Sequence, residues 1–190
     1  MRHSIFVLAI LLSALTGCQE ISSVVAGLGA TSPAVPSAPP ANPPAPAKAP
    51  AVDRVVVLKG RRLLELVHGG QILRTFPIAL GPHARGPKRE SGDGRTPEGV
   101  YNIDGRSERT RYTRELHISY PNAEDRARAR ERNVEPGGDI FIHGLPQDFG
   151  PYDPPRWERD WTDGCISVGN AAIVAIWDAV PDGTRIEILP

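Results

Sequence analysis

Two side chains in this sequence are candidates for covalent chemistry. Cys165 lies in Trp161-Thr-Asp-Gly-Cys-Ile-Ser-Val-Gly-Asn170, and His143 ends the apolar run Asp139-Ile-Phe-Ile-His143, with Gly144 next. A cysteine attacks as its thiolate, so it needs a base to take its proton. Histidine has the ordinary pKa for that task. Acyl transfer also needs backbone donors aimed at the developing oxyanion. Gly164 permits a tight turn there, and the amides of Gly164 and Cys165 are the expected donors. Singly, a cysteine reads as a small buried hydrophobe and a strand-end histidine as structural. The pairing depends on the sequence around them.

The elements that must position this pair are mostly strands. Residues 54–58, 63–67 and 71–80 are β-rich runs separated by turns at Lys59-Gly60-Arg61-Arg62 and His68-Gly69-Gly70, which predicts an antiparallel meander. Further strands are expected at 99–103, 115–119, 139–143 and 184–189. Asn122 is expected to cap a helix running through Asn133, and Asn170 a second over 171–180. Ala172, Ile173, Ile176, Trp177 and Val180 fall on one face of that second helix, so Trp177 reads as core. The expected class is mostly β, a sandwich or barrel-like sheet with one or two peripheral helices.

Ahead of this domain the composition changes. Arg2 and His3 precede the apolar run from Ile5 to Leu15, which reads as a secretory leader and is too short to span a bilayer. Leu15-Thr16-Gly17-Cys18 resembles a bacterial lipobox, which makes Cys18 the expected lipid acceptor and membrane anchor. Gln19, in place of an aspartate, leans towards the outer membrane. Eight of the 20 prolines fall within 33–50, a Pro/Ala-rich stretch that favours extended polyproline II without a core. The expected organisation is a leader over 1–17, the lipidated cysteine and disordered linker over 18–52, and a catalytic domain over 53–190. With separate roles for Cys18 and Cys165, no disulfide is required. The 22 basic residues balance the 22 acidic ones, which excludes the one-sided basic surface of a nucleic-acid binder.

Several ordered motifs together resemble the catalytic domain of the YkuD-type L,D-transpeptidases. These are His143-Gly144, Thr162-Asp163-Gly164-Cys165, Thr96-Pro97-Glu98-Gly99-Val100-Tyr101-Asn102-Ile103, and the closing Gly183-Thr184-Arg185-Ile186-Glu187-Ile188. The resemblance spans roughly 53–190. It implies a mostly β fold, with Cys165 as nucleophile, His143 as base and Gly164 shaping the oxyanion turn. It also implies a donor substrate, the diaminopimelate-containing stem peptide of peptidoglycan, cleaved without metal or cofactor by a periplasmic, monomeric protein. Thr162, Asp163, Ser167, Gly144 and Tyr120 are the expected substrate-contacting set, with His117 beside them.

Two positions depart from the family pattern. Asp163 stands where many members carry histidine, and Ser167 where many carry Arg or Asn. Asp163 either raises the pKa of the neighbouring thiol or orients His143. The loop over 145–160 is also longer than usual, and its prolines and aromatics make it either a substrate wall or a rigid surface excursion. Three alternatives stand beside cross-linking: hydrolytic trimming of stem peptides, a non-catalytic wall binder on the same fold, and a zinc hydrolase built from His143, Cys165, Asp163 and His117.

Overall fold

The computed structural model describes residues 51–108, 110–148 and 159–190. The expected leader, Cys18 and the proline-rich linker up to Pro50 lie outside the described residues, as do residues 149–158 of the loop expected over 145–160.

Among the described residues there are eight strands, two α-helices and a short 3-10 turn at Lys59–Arg61. The strands are β1 (Arg54–Leu58), β2 (Leu63–His68), β3 (Gln71–Pro77), β4 (Gly99–Ser107), β5 (Glu115–Ile118), β6 (Phe141–His143), β7 (Ile166–Ser167) and β8 (Arg185–Leu189). The helices are α1 (Ala123–Glu131) and α2 (Asn170–Ala179). The strands form one curled sheet in the order β3-β2-β1-β8-β4-β5-β6-β7. This is the mostly β class with two helices expected from the sequence.

The opening meander forms as expected. Gly69 and Gly70 both take positive φ, at 55° and 82°, as the tight two-residue hairpin between β2 and β3 requires. The sheet as a whole is not antiparallel, however. β8 pairs parallel with β1, and β7 pairs parallel with β6. Parallel neighbours need a long connection, and the chain between the members of each pair supplies it.

β4 makes the sheet curl. It continues beyond the expected 99–103 to Ser107, pairing with β8 over Gly99–Asn102 and with β5 over Ile103–Ser107. The register shifts between Ile103 and Gly105, and such a bulge bends a strand and strengthens its twist. The polar stretch Asp104-Gly-Arg-Ser lacks alternation, so the sequence pattern missed it. β3 in turn ends at Pro77 rather than 80, because Ala79 leaves to bridge Ser167.

Alternation fixes which residues face inward. Val55, Val57, Leu64, Leu66, Ile186 and Ile188 from one half of the sheet, and Leu116, Ile118, Ile142 and Ile166 from the other, join a single core cluster with Ile173 and Ile176 of α2. Each such fully buried aliphatic contributes about 1.5–3 kcal/mol. Trp177 packs against this core, with the guanidinium groups of Arg106 and Arg114 over its ring. Asn122 caps α1 through a capping box with Asp125, although the helix stops at Glu131 rather than Asn133. Asn170 does not cap α2. Gly169 holds that position, and the Asn170 side chain is used elsewhere.

Candidate active site

The site occupies the outer face of the β5-β6-β7 portion of the sheet. Ile142 lies across from Leu116 on β5 and Ile166 on β7, and all three are buried in the core. Side chains alternate along a strand, so the neighbouring residues must face the other way. One row on that outer face is Glu115, His143 and Ser167; the adjacent row carries His117 and Phe141, with Cys165 two residues before Ser167. Cys165 stands one residue before β7, and its Sγ reaches the Asp139 carbonyl and the Phe141 amide, which puts it beside β6, the strand that ends in His143. Shifting β6 by one residue would send His143 into the core and Ile142 outward.

His143 is 1% exposed although it lies on the outer face. Tyr112 covers it, with ring centroids 3.9 Å apart and planes 26° from parallel, and Trp161 meets its edge at 5.8 Å. Its Nδ1 lies 2.7 Å from the carbonyl oxygen of Gly144, which can only accept, so Nδ1 carries the proton and Nε2 is left as the basic nitrogen. Burial pulls the imidazole down to about 4; the Gly144 bond opposes that shift and the Arg111 guanidinium adds to it.

Cys165 is partly exposed, and its Sγ lies 3.5 Å from the carbonyl of Asp139, to which the thiol donates. Burial is the main cause that pushes this thiol up, to about 11. The Phe141 amide, donating to sulfur, works against the rise, while the charges of Glu115, Asp163 and Asp139 add to it. Both shifts favour the uncharged forms, a thiol and a neutral imidazole, over a thiolate–imidazolium ion pair, so the sulfur would have to lose its proton as it attacks.

The turn that carries Cys165 is held tightly. Thr162 Oγ1 donates to the Cys165 carbonyl at 2.7 Å and accepts from the Gly164 amide at 3.3 Å. The amides of Trp161 and Thr162 both donate to the Leu80 carbonyl. Arg62 forks onto the Asp160 carboxylate, which also accepts from the Leu80 amide at 3.0 Å. Gly164 has φ 123°, and a Cβ there would lie 2.5 Å from the Arg95 carbonyl oxygen, so no other residue fits. The Gly164 amide, one of the two expected oxyanion donors, points to Thr162 Oγ1 at 3.3 Å in this turn. The Cys165 amide remains the candidate donor.

The other expected site residues divide. Ser167 is buried in β7, its backbone bonded to Ala79 in both directions. Gly144 follows His143 where a Cβ would strike Asn170 Oδ1 at 2.8 Å, Ile173 at 2.9 Å and Thr113 at 3.0 Å. Asp163 is exposed, and its resolved effect is the first of the two expected ones, raising the thiol; the hydrogen-bond partner of His143 is Gly144 instead. Tyr120 is buried and donates its hydroxyl to the Pro136 carbonyl; it lines a cavity with Lys88, Asp125 and Arg128, apart from His143 and Cys165. His117 does lie on the site face, with Nδ1 2.5 Å from Asp104 and its ring against Phe141. Among the described residues no group of three or more His, Cys, Asp or Glu side chains is arranged to hold a metal ion.

Glu115 and Tyr112 were not singled out from the sequence. Glu115 lies directly opposite His143, and burial raises its carboxyl above the ordinary range. The alternation Glu115-Leu-His-Ile, with Leu116 and Ile118 inward, carried the signal for it. Tyr112 sits in a connecting loop, where no periodicity marks it.

A curled sheet with a strand-end histidine beside a Gly-Cys turn defines a class, and this chain belongs to it. Residues 52–188 match the YkuD L,D-transpeptidase catalytic domain, so the protein is a member of that peptidoglycan-related family. Escherichia coli YafK, named a putative L,D-transpeptidase, is 33% identical over 104 residues, which are 52% of this chain and 40% of YafK. The chain thus matches less than half the length of that relative. Among solved structures, the helical cell shape determining protein Pgp2 of Campylobacter jejuni superposes with TM-score 0.56 at 23% identity, covering 74% of this chain and 48% of Pgp2. Bd1075 of Bdellovibrio bacteriovorus gives 0.51 at 26% identity, covering 74% of this chain and 49% of its own.

Proposed function

We propose that this chain is a cysteine acyltransferase of the bacterial envelope, acting on diaminopimelate-containing stem peptides of peptidoglycan. The reading is supported by His143 at the end of β6, with Nδ1 tied to Gly144 and Nε2 left basic, and by Cys165, whose Sγ reaches the Asp139 carbonyl and the Phe141 amide beside that same strand. Family membership supplies the substrate class. In the first step Cys165 Sγ bonds to the diaminopimelate carbonyl carbon while His143 takes the thiol proton. The proton passes to the departing amine of terminal D-alanine, leaving a thioester. In the second step an acceptor attacks that thioester and frees the thiol. An amine acceptor gives a cross-link; water gives a trimmed tripeptide. The Cys165 amide stabilises the tetrahedral oxyanion in both steps.

The same proposal places the protein in the periplasm. The leader would deliver it there, Cys18 would carry lipid, and the linker of 31–50 would let the domain reach the wall. At about 3.1 Å per residue a twenty-residue polyproline stretch extends roughly 60 Å. An effect on cell shape follows from the change in wall peptides.

The test is incubation with defined disaccharide-tetrapeptides, followed by mass spectrometry. Release of D-alanine with dimer formation supports transpeptidation, and release with tripeptide supports hydrolytic trimming. Absence of both, from protein with a reactive Cys165, contradicts the enzyme reading and leaves a wall binder.

A further inference from the structure

The ring that covers His143 belongs to a loop held down at several points. Tyr112 pairs as an isolated bridge with Pro146. The Gln147 amide donates to the Arg111 carbonyl at 2.9 Å, and its side chain donates to the Thr110 carbonyl at 3.0 Å. Thr110 Oγ1 accepts from the Tyr112 amide at 3.0 Å and donates to its carbonyl. Thr113 donates to Asn170 Oδ1 at 2.8 Å, the same oxygen that accepts from the Leu145 amide. This is the use that removes Asn170 from capping α2. The Gly144 amide completes the attachment by donating to the Arg114 carbonyl at 3.2 Å. Residues 110–114 therefore form a strap across the segment that follows His143. Gly144 allows the close approach, because a side chain there would push against Thr113 and Asn170.

The strap ends in a three-layer stack. The guanidinium of Arg111 sits 5.1 Å over the Tyr112 ring, and that ring lies nearly flat on the imidazole. We propose that Tyr112 is a positioning residue for His143, its ring fixing the imidazole plane and keeping water off it so that Nε2 stays unprotonated and aimed at the thiol. The proposal rests on His143 being the base. Tyr112 itself need touch no reacting atom.

The charged and titratable groups around the imidazole set the expected sign. Glu115 faces it from β5, Cys165 and Asp163 lie on the nucleophile turn, and Arg111 sits behind Tyr112. Desolvation is the largest cause of the depressed His143 pKa, with Arg111 acting in the same direction. Removing the stacked ring admits water to one face of the imidazole and so raises its pKa towards the ordinary 6.5. Phenylalanine keeps both the stack and the exclusion of water.

The experiment follows the His143 imidazole by NMR through a pH titration of the full chain, with H143Q to assign the resonance. Y112F is expected to keep the midpoint within about half a pH unit, and Y112A to raise it by about one unit or more. Y112L keeps bulk but no aromatic face, and it serves where Y112A does not fold. Its expected loss is an intermediate shift together with broadening of the ring signals. In turnover, Y112A and Y112L are expected to lower kcat more than they raise KM, roughly tenfold, and to move the acid limb of the pH profile upward. An unchanged midpoint in both variants, or Y112F losing as much as Y112A, overturns the proposal. The titration needs no peptidoglycan substrate, so its outcome stands apart from that of the proposed function.

Discussion

The two halves of the curled sheet obey the same alternation but use it differently. In the β3-β2-β1 half, β1 and β2 bury alternate residues and leave the others of β1 partly exposed, while β3 is exposed on both faces over its first five positions, with Ile72 at 57%. In the β5-β6-β7 half the inner face is equally apolar, yet the outer face is covered too. There His143, Ser167 and Thr162 are all buried. The pKa shifts of the imidazole and the thiol follow from that second covering, since burial is the first cause of each. A sheet becomes a site here by shielding the polar side of its strands from water.

Substitutions can break this contrast, and the largest effects belong to the covered face. C165A is expected to lower stem-peptide turnover by roughly 10⁴-fold or more, and H143Q by about 10²–10⁴-fold, with the fold retained in circular dichroism. If either variant turns over normally, the covered face is not the reaction centre. G164A meets the Arg95 carbonyl at a backbone angle unsuited to a side chain. Its expected cost is about 1–3 kcal/mol in chemical denaturation, with turnover reduced roughly a hundredfold by displacement of the thiol.

His143 also makes stability depend on pH. Its ordinary value of 6.5 applies in the unfolded chain and about 4 in the folded one, so between these the unfolded state binds more protons. Stability should therefore rise with pH across that window and be lost as pH falls from about 6.5 through about 4. Replacing His143 with glutamine should flatten that slope by up to about 3 kcal/mol, read from urea midpoints at pH 4.5 and 7.5. The smallest effect is expected on the uncovered face. I72S should change stability by no more than about 0.5 kcal/mol and leave turnover as it was. A large loss there would show that β3 is covered in solution.

How much of this was legible depended on whether a residue's role is local. The β1-β2-β3 meander, the Asn122 cap and the core face of α2 follow from periodicity and turn chemistry, and the sequence pattern contains them. His143 and Cys165 were legible as types set in motifs. The parallel pairings of β8 with β1 and β7 with β6 were not, because partners distant in the chain leave no local mark. β4 ran on through Asp104-Gly-Arg-Ser because the bulge there breaks the alternation that would reveal a strand. Asn170 looked like a cap by type, yet its side chain is taken by Leu145 and Thr113, a competition only the tertiary structure reveals. Tyr112 lay hidden for the same reason. Tyr120 stood near a site motif, but its hydroxyl is bonded to Pro136.

On the proposed reading, Cys165 forms a covalent acyl link made possible by the His143 imidazole. The most direct measurement is intact-protein and peptide mass spectrometry after brief mixing with a tetrapeptide substrate and acid quenching. The expected result is an added mass equal to the acylated donor minus D-alanine, located on the Cys165 peptide, removed by hydroxylamine and nearly absent in H143Q. Product formation by C165A, or turnover with the acyl group found on another residue, would contradict it.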